Sequence, residues 1–476
     1  MTLRNRALLP GVLVAATLLL AALLGARSSL LYAMLLAGGL AMVVLVMEPA
    51  LGLVALGALS FTLPLELGTG SDVSLTAPVL LIPAVAGAWL LSALGKRSLR
   101  LAPAPTTLPL LLFVGSSFLS LAAGNSYWNP LVPRPSNLLL VQLGQCAIFA
   151  LSAVAFIVAG ELGQDRRWLR WATMAFLAVS GIVVVQYLVP ALWSVAGWSV
   201  AGQANTAMLW TWLAAMAMGQ VLCNRRLSAA AKLGLPVLLA GAAYVVWVTQ
   251  REWASGWMSF TMAVAMALLL RYSRRNRVAA LAIGAALLLV GILIFPHIFE
   301  YAGGQSELDT SWAGRLLLYQ RTLELVRAHP ILGLGPASYR HYGFTQWLSL
   351  GLGRALYLQP LVSSHNNYID IYAQMGLVGL ALFLWFLLEV ARLGWQLLVR
   401  FQGDFAEGYV VGALSGLAGT VVAMMLVDWF LPFVYNVGFG GLRTSIVAWM
   451  FLGGLVALQQ VRPSATPQEE HVHLAA

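Results

Sequence analysis

The sequence predicts an all-α membrane protein with about 12–14 transmembrane helices and one large external loop, and three observations support this fold class. Hydrophobic residues make up 60% of the 476 residues, whereas charged residues make up only 9%. Because a soluble protein carries about 25% charged residues, most of this surface is expected to face lipid. Apolar runs recur along the chain. The two cysteines, Cys146 and Cys223, are too few for a disulfide framework or a zinc site.

Fourteen apolar runs are long enough, or nearly so, for a helix that crosses a bilayer. The first run follows Arg4 and Arg6 and is expected to be a retained signal anchor, because the other runs follow it. The runs lie at 7–24, 30–47, 50–64, 76–94, 108–123, 136–159, 169–190, 204–222, 231–249, 252–270, 277–296, 365–390, 409–429 and 433–458.

The basic residues predict the orientation of these spans. If the N-terminus is cytoplasmic, most of the 27 lysines and arginines fall in the alternate connections on the cytoplasmic side. We therefore expect a multi-pass protein of the plasma (inner) membrane with both termini in the cytoplasm. The net charge of +10 is spread in short clusters between apolar runs, which is not the pattern of a nucleic-acid-binding surface.

The spans divide the chain into four predicted parts. Residues 1–296 hold transmembrane helices 1–11, and residues 297–364 form an external (periplasmic) loop. Residues 365–460 hold the C-terminal transmembrane helices, and residues 461–476 form a disordered cytoplasmic tail. Because long loops with their own structure usually have a function, the active face is expected to be external.

One amphipathic helix is predicted within this loop, from Ser311 to Ala328. Its apolar residues recur at intervals of three and four, which places them on one face that should pack towards the membrane. Thr310 or Ser311 would cap its start, and His329-Pro330 would end it. The apolar face comprises Trp312, Leu316, Tyr319, Leu323 and Val326.

Polar residues cluster at the start of the twelfth span, in Ser363-Ser-His-Asn-Asn-Tyr368. Polar groups at the mouth of a span are costly unless they face a cavity or a partner. Ser364 is predicted to be the N-cap, which would place His365 in the first turn, where a neutral imidazole is favoured and can accept a proton. A histidine at a helix end is also often a hydrogen-bonded structural group. The residues alone leave both interpretations open.

Two other polar stretches lie at the same predicted face. Gly202-Gln203-Ala204-Asn205 opens the eighth span, and Gln250-Arg251-Glu252 separates the ninth from the tenth. Arg251 is suited to pair with Glu252 at the membrane interface. Its planar guanidinium is equally suited to bind a phosphate, and both interpretations stay open.

Together these stretches resemble the O-antigen ligase and polymerase superfamily. The segment from Arg315 through His329-Pro330-Ile-Leu-Gly-Leu-Gly-Pro336 resembles the family's periplasmic loop, and Ser364–Tyr368 through Gly376-Leu-Val-Gly379 is similar to its histidine motif. The stretch Thr249-Gln250-Arg251 is similar to the family's arginine position. Residues 202–205 resemble its Gly-x-x-Asn region.

The resemblance implies a GT-C-like helical bundle that transfers a glycan from an undecaprenyl diphosphate carrier to an acceptor hydroxyl, with inversion and without a metal or cofactor. His365 would be the catalytic base, and Arg251 would stabilise the departing diphosphate. The acceptor would be a hydroxyl of a glycan, a lipid or a protein. The implied substrate-binding residues are Arg315, Arg340, Gln203, Asn205, Asn366 and Tyr368.

Alternatives to a strict O-antigen ligase stay open. Ligases commonly carry an arginine just before the Gly-x-x-Asn region, and residues 191–201 contain none. An O-antigen or exopolysaccharide polymerase and a protein O-oligosaccharyltransferase are therefore alternatives. A lipid-linked oligosaccharide transporter is disfavoured because it should place ionisable groups near the middle of the membrane. A metal-dependent transferase would have to use Glu66 and Asp72, which lie in an ordinary exposed turn.

Overall fold

The computed structural model describes residues 30–68, 74–97, 101–191, 204–273, 278, 316, 318–349 and 363–461. The predicted spans 7–24 and 277–296, except for residue 278, lie outside the described residues, as does the predicted tail beyond residue 461. The domain boundaries at 296, 364 and 460 stay predictions.

Each of the twelve other predicted spans coincides with a helix, so the all-α polytopic fold class is confirmed. Within the described ranges, nine helices are long and apolar enough to cross a membrane. The helices are α1 (Leu30–Met47), α2 (Leu51–Thr62), α3 (Ala77–Gly95), α4 (Thr107–Ser126), α5 (Leu138–Leu162), α6 (Arg166–Leu188), α7 (Ala207–Cys223), α8 (Ala229–Tyr244, continued by a π-helical turn, Val245–Thr249), α9 (Ala254–Ser273), α10 (318–326), α11 (Tyr339–Ser349), α12 (Asn367–Leu398), α13 (Phe405–Leu426) and α14 (Leu442–Gln460).

Side-chain caps fix where several of these helices begin. The side chains of Asp165, Thr206, Ser228 and Asp404 each accept a hydrogen bond from a backbone N–H in the first turn of α6, α7, α8 and α13, respectively. Such caps satisfy backbone donors that have no partner within the helix. A short antiparallel hairpin, β1 (Glu66–Gly68) with β2 (Ser74–Thr76), connects α2 to α3.

The centre of the bundle is a close contact between α7 and α13. Gly408, Gly412 and Gly416 recur every four residues along α13, and a β-carbon at any of them would collide with a residue of α7. Small residues at this spacing let two membrane helices approach closely. Helix α14 packs beside them and is buried along its whole length.

The basic helix ends gather at one end of the bundle, which we call the basic end. There Arg166 pairs with Asp404 at 3.2 Å, Arg271 lies 3.9 Å from Glu407, and Arg400 donates to the Gln459 carbonyl at 2.7 Å. The opposite end carries His365 and is called the site end. This separation is the one that the alternating basic connections predict.

One feature of the predicted spans is wrong. Residues 427–441 form a loop that ends in a 3-10 turn, Gly438–Gly441. Most of this loop falls within the predicted spans 409–429 and 433–458. In α10 the predicted apolar face is only partly the buried one. Leu318, Thr322 and Val326 are buried, whereas Leu316 and Leu323 are exposed. The described helix ends at residue 326, before His329.

The glycine-rich segment after α10 docks into a break in α12. At Gly376 the backbone has φ +64°, and the helix opens. The freed carbonyls of Ala373 and Gln374 accept hydrogen bonds from Leu334 and Gly335, at 2.9 and 3.0 Å. In return, the N–H groups of residues 377 and 378 donate to the carbonyls of residues 330 and 331, at 2.8 and 3.1 Å. The segment therefore fixes the loop to the membrane helix that begins beside His365.

Candidate active site

His365 lies immediately before α12 rather than in its first turn. The N-cap is Asn366, whose Oδ1 accepts hydrogen bonds from the N–H groups of Tyr368 at 3.0 Å and Ile369 at 3.2 Å, so the predicted cap at Ser364 is wrong. The backbone of His365 has φ +52°, a left-handed conformation that is unfavourable for a histidine. Backbone strain of this kind persists where the surrounding structure imposes it, and it often marks a functional site.

A buried carboxylate lies beside the imidazole. Oδ1 of Asp428 is 3.8 Å from Nδ1 of His365, and the side chain of Asp428 is 1% exposed against 35% for His365. Asn436 donates to the same Oδ1 at 2.7 Å, whereas Oδ2 is buried and has no hydrogen-bond partner among the described residues. Asp428 is not among the residues predicted from the sequence. Its signal is an ionisable residue that directly follows the apolar run Met424–Val427.

Two amide side chains hold the loop that carries Asp428. From α12, Asn367 donates to the carbonyl of Leu431 at 2.7 Å and accepts from its N–H at 3.2 Å. From α5, Gln145 donates to the carbonyl of Pro432 at 3.1 Å and accepts from the N–H of Val434 at 2.8 Å. Because each amide side chain uses both its N–H donor and its carbonyl acceptor, the loop is fixed relative to His365.

A second buried carboxylate organises the chain just before His365. Oδ1 of Asp370 accepts hydrogen bonds from the hydroxyls of Tyr339 at 2.6 Å and Ser364 at 2.7 Å, and from the Ser364 N–H at 3.2 Å. Burial and the nearby charge of Asp370 raise the pKa of Tyr339 well above 10, so its hydroxyl stays a donor. The segment preceding His365 is therefore bound to both α11 and α12.

Asn366 and Tyr368, predicted to bind substrate, have partners within the protein. Nδ2 of Asn366 donates to the carbonyl of Met425 at 3.1 Å, and the Tyr368 hydroxyl donates to the carbonyl of Val421 at 3.1 Å. Tyr319 of α10 donates to the Met425 carbonyl as well, at 3.3 Å. These bonds connect α10, α12 and the end of α13 around the histidine.

Arg251 follows the π-helical turn Val245–Thr249, a distortion that frequently lies at functional sites. Its side chain is exposed, and no carboxylate of the described residues, Glu252 included, lies within ion-pair distance. The neighbouring Gln250 donates to Oδ1 of Asn205 at 3.1 Å. The structure thus brings the predicted arginine and asparagine stretches together.

Arg251 and Asp428 lie at a similar level of the bundle. Helices α7, α9 and α13 pack together where Thr211 contacts Ser259 at 2.7 Å and where Gly419 lies against the Ser259 carbonyl. From that contact, Arg251 is eight residues away along the chain and Asp428 is nine. At 1.5 Å per helical residue, α9 reaches about 8 Å further to Ala254 and α13 about 10 Å further to Leu426, and Arg251 and Asp428 lie just beyond these two ends.

Arg340 also lies at the site end, on the other side of the Asp428 loop. Its guanidinium carbon is 4.1 Å from the centre of the Tyr435 ring, and Nε2 of the adjacent His341 is 2.9 Å from the Tyr435 hydroxyl. Burial, and then the charge of Arg340, lower the pKa of His341 to about 4. His341 is therefore neutral at pH 7. The other two predicted substrate-binding residues, Gln203 and Arg315, lie outside the described residues.

The fold and this site define a class, namely a multi-pass helical membrane protein with a histidine–carboxylate pair at one end of its bundle. Residues 233–384 match the family model described as O-antigen ligase. This match supports the resemblance to the O-antigen ligase superfamily that the motifs indicated. The matched region includes Arg251 and His365 and ends before Asp428.

The family match supports two conclusions about activity and location. The O-antigen ligase family implies a glycosyltransferase-like activity, and with the apolar helices it supports a multi-pass inner-membrane protein. A comparison with curated proteins finds no match.

Proposed function

We propose that the protein transfers a glycan from an undecaprenyl diphosphate carrier to an acceptor hydroxyl at the site end, with His365 as the base. The observation that carries the proposal is the pairing of a partly exposed imidazole with a buried carboxylate at 3.8 Å. An acceptor hydroxyl is a poor nucleophile unless a positioned base takes its proton. The acceptor oxygen then bonds to the anomeric carbon, the bond to the phosphate oxygen breaks, and undecaprenyl diphosphate leaves with that electron pair.

In this mechanism Asp428 is a positioning residue. Its carboxylate stabilises the imidazolium that forms when His365 accepts the proton, in the way that carboxylates do in other base–carboxylate pairs. Burial strengthens this effect because charges interact more strongly where water is excluded.

Arg251 is the proposed contact to the diphosphate. Its exposed guanidinium has no carboxylate partner among the described residues, so it is available to a phosphate, which it can bind with two parallel hydrogen bonds. A fixed cation at the leaving group stabilises charge that develops in the transition state. Asn205 and Gln250, hydrogen-bonded to each other at 3.1 Å, would contact sugar or phosphate oxygens beside it.

An apolar cavity between two neighbouring helices is suited to the polyprenyl tail. It has a volume of about 870 Å³ and lies between α6 and α8, lined by Leu177, Gly181, Val184, Leu235, Leu238 and Gly241. At its site end it reaches Gln186 and Leu188. Tyr187, between them, interacts with Gln250. A tail in this cavity would lead directly to the proposed diphosphate position.

The test uses purified protein with a lipid-linked glycan donor and follows the release of undecaprenyl diphosphate. We expect His365→Ala to lose transfer but to keep donor binding. Arg251→Ala should weaken both donor binding and transfer. Arg251→Lys should retain only part of each, because an ammonium cannot make the two parallel hydrogen bonds of a planar guanidinium. Arg327→Ala, an exposed arginine of the same loop region, is the control and should leave both unchanged.

The same assay separates the proposal from its rivals. A folded His365→Ala protein that transfers glycan at the wild-type rate would contradict the role of His365 as base. A protein that moves the lipid-linked donor across a vesicle membrane without releasing undecaprenyl diphosphate would be a transporter. Mass spectrometry of the product with glycan, lipid and peptide acceptors would separate ligase from polymerase and from oligosaccharyltransferase.

A further inference from the structure

A second cavity opens at the site end, between the β1–β2 hairpin and α11, and we call it the hairpin cavity. Its volume is about 640 Å³, within the range of about 300–1,000 Å³ that is typical of sites for small ligands. The hairpin contributes Glu66, the start of α5 contributes Asn137, and α11 contributes Arg340, His341 and Phe344. Ser74, Thr76, Pro135, Val141 and the segment 434–440 complete its wall.

The chemistry of this wall fits a sugar. Asn137 and Asn436 offer amide groups that can donate to and accept from hydroxyls, and Tyr435 and Phe344 offer aromatic rings for the apolar face of a pyranose. Aromatic walls with a few placed polar groups are the usual composition of a small-ligand site. The cavity is therefore suited to a saccharide rather than to a lipid tail.

The charges of the wall add a preference for an anion. Arg340 has no carboxylate partner among the described residues, because the nearby Glu66 is taken by Arg443 at 3.2 Å. Arg443 also donates to the carbonyl of Leu63 at 2.7 Å, which holds it in place. His341 is neutral at pH 7, since burial and then the charge of Arg340 lower its pKa to about 4. The guanidinium of Arg340 is thus available to attract a negatively charged group.

Two residues, Asn436 and Asp428, connect the hairpin cavity to His365. Asn436 lines the cavity and donates to Asp428 at 2.7 Å, and Asp428 lies 3.8 Å from His365. None of the lining residues comes from α6, α7, α8 or α9, the helices around the proposed diphosphate and tail positions. A substrate that loses its proton to His365 from this side is the acceptor.

We propose that the hairpin cavity binds the acceptor saccharide and that Arg340 recognises an acidic substituent on it, a carboxylate or a phosphate. This inference rests on the proposed function, in which His365 takes the acceptor proton. It assigns Arg340, which the sequence predicts to bind substrate, to the acceptor rather than to the diphosphate.

The test measures binding to the purified full-length protein in the absence of donor. The probes are a glucuronate-terminated disaccharide and its neutral glucose-terminated counterpart, with glucose 6-phosphate against glucose as the phosphate arm. We expect at least one acidic probe to bind about tenfold or more tightly than its neutral partner, as for hydrogen bonds between charged groups. The pair of probes in which the acidic member binds more tightly identifies the acidic substituent as a carboxylate or as a phosphate.

Two variants assign the binding to this cavity. Arg340→Gln should reduce affinity for the acidic probe to that for the neutral one, whereas the control Arg327→Gln should leave both affinities unchanged. Asn137→Trp should block both probes, because Asn137 is exposed, makes no side-chain hydrogen bond with the described residues, and lines the cavity. It should therefore fill the cavity without disturbing the fold.

Each remaining outcome contradicts either this inference or the proposed function. Equal binding of acidic and neutral probes, no binding at about 10 mM, or binding that Arg340→Gln leaves unchanged would overturn the inference. If Arg340→Gln raises the KM of the donor and not that of the acceptor, Arg340 belongs to the diphosphate. If the acidic probe binds as expected but the wild-type protein releases no undecaprenyl diphosphate, the proposed function fails and the saccharide site remains.

Discussion

Nδ1 of His365 lies 3.8 Å from Oδ1 of Asp428, although the two residues belong to different helix ends. His365 precedes α12, and Asp428 follows α13. The imidazole is partly exposed, whereas Asp428 is 1% exposed and its Oδ2 has no hydrogen-bond partner in the part of the chain that the structure describes. A carboxylate in this state is costly to the fold, so its presence beside a base calls for a functional explanation.

Replacing Asp428 by asparagine should separate activity from stability. We expect Asp428→Asn to transfer glycan about 10²–10⁴-fold more slowly, because the imidazolium loses its stabilising charge. The melting temperature should stay the same or rise, because the variant removes a buried charge with an unpaired oxygen. Both quantities would be measured on the same purified sample, with release of undecaprenyl diphosphate as the activity.

Two controls sharpen this comparison. Glu389→Gln removes a carboxylate elsewhere in α12, paired with the exposed Arg392, and should leave the transfer rate unchanged. The double variant His365→Ala with Asp428→Asn should be no slower than His365→Ala alone, since residues that act as a unit are not additive. A fall in melting temperature with a wild-type rate would make Asp428 a purely structural residue.

Much of this architecture follows from the sequence, because apolar length and the positions of basic residues determine where helices cross a membrane. The histidine was found in the same way, as a polar residue at the mouth of a span. Its cap was misplaced because Ser364 and Asn366 are both good caps, and only the hydrogen bonds of Ser364 to Asp370 decide between them.

Asp428 could not be paired with His365 from the sequence. The pairing depends on the loop 427–441, which the hydropathy pattern merges into the two flanking spans. It also depends on contacts distant in the chain, from Gln145 and Asn367. Hydropathy has no information on such contacts, since it reports only how apolar each segment is.

The break at Gly376 makes a prediction about stability. Gly376→Ala should lower the free energy of unfolding by about 2–4 kcal/mol, because alanine is strained at φ +64° and its β-carbon would collide with the Ile331 carbonyl. Thermal unfolding in detergent would measure the change. Gly115→Ala is the matched control, since Gly115 lies in α4 with no atom near the new methyl, and it should change stability by less than about 0.5 kcal/mol. Equal effects of the two substitutions would mean that the docked loop does not constrain α12.

His341 makes stability depend on pH in a defined window. Burial, and then the charge of Arg340, lower its pKa in the folded protein from 6.5 to about 4. Between these values the unfolded chain binds more protons at this residue than the folded one, so stability is lost as the pH falls from 6.5 towards 4. In His341→Gln, which cannot be protonated, the melting temperature should fall less over this window. A variant with the same pH dependence as the wild type would show that His341 does not contribute.

The orientation of the bundle can be tested with two cysteines placed at its opposite ends. Leu131 is 82% exposed at the site end, and Gln402 is exposed at the basic end, next to the arginines that pair with Asp404 and Glu407. Because basic residues are retained in the cytoplasm, a membrane-impermeant maleimide should label Leu131→Cys in intact cells with a permeabilised outer membrane. It should label Gln402→Cys only after the inner membrane is opened. The native Cys146 and Cys223 are buried, so the unmodified protein serves as the unlabelled control. The reverse pattern would place His365, Asp428 and the hairpin cavity in the cytoplasm, where the proposed transfer on the external face could not occur.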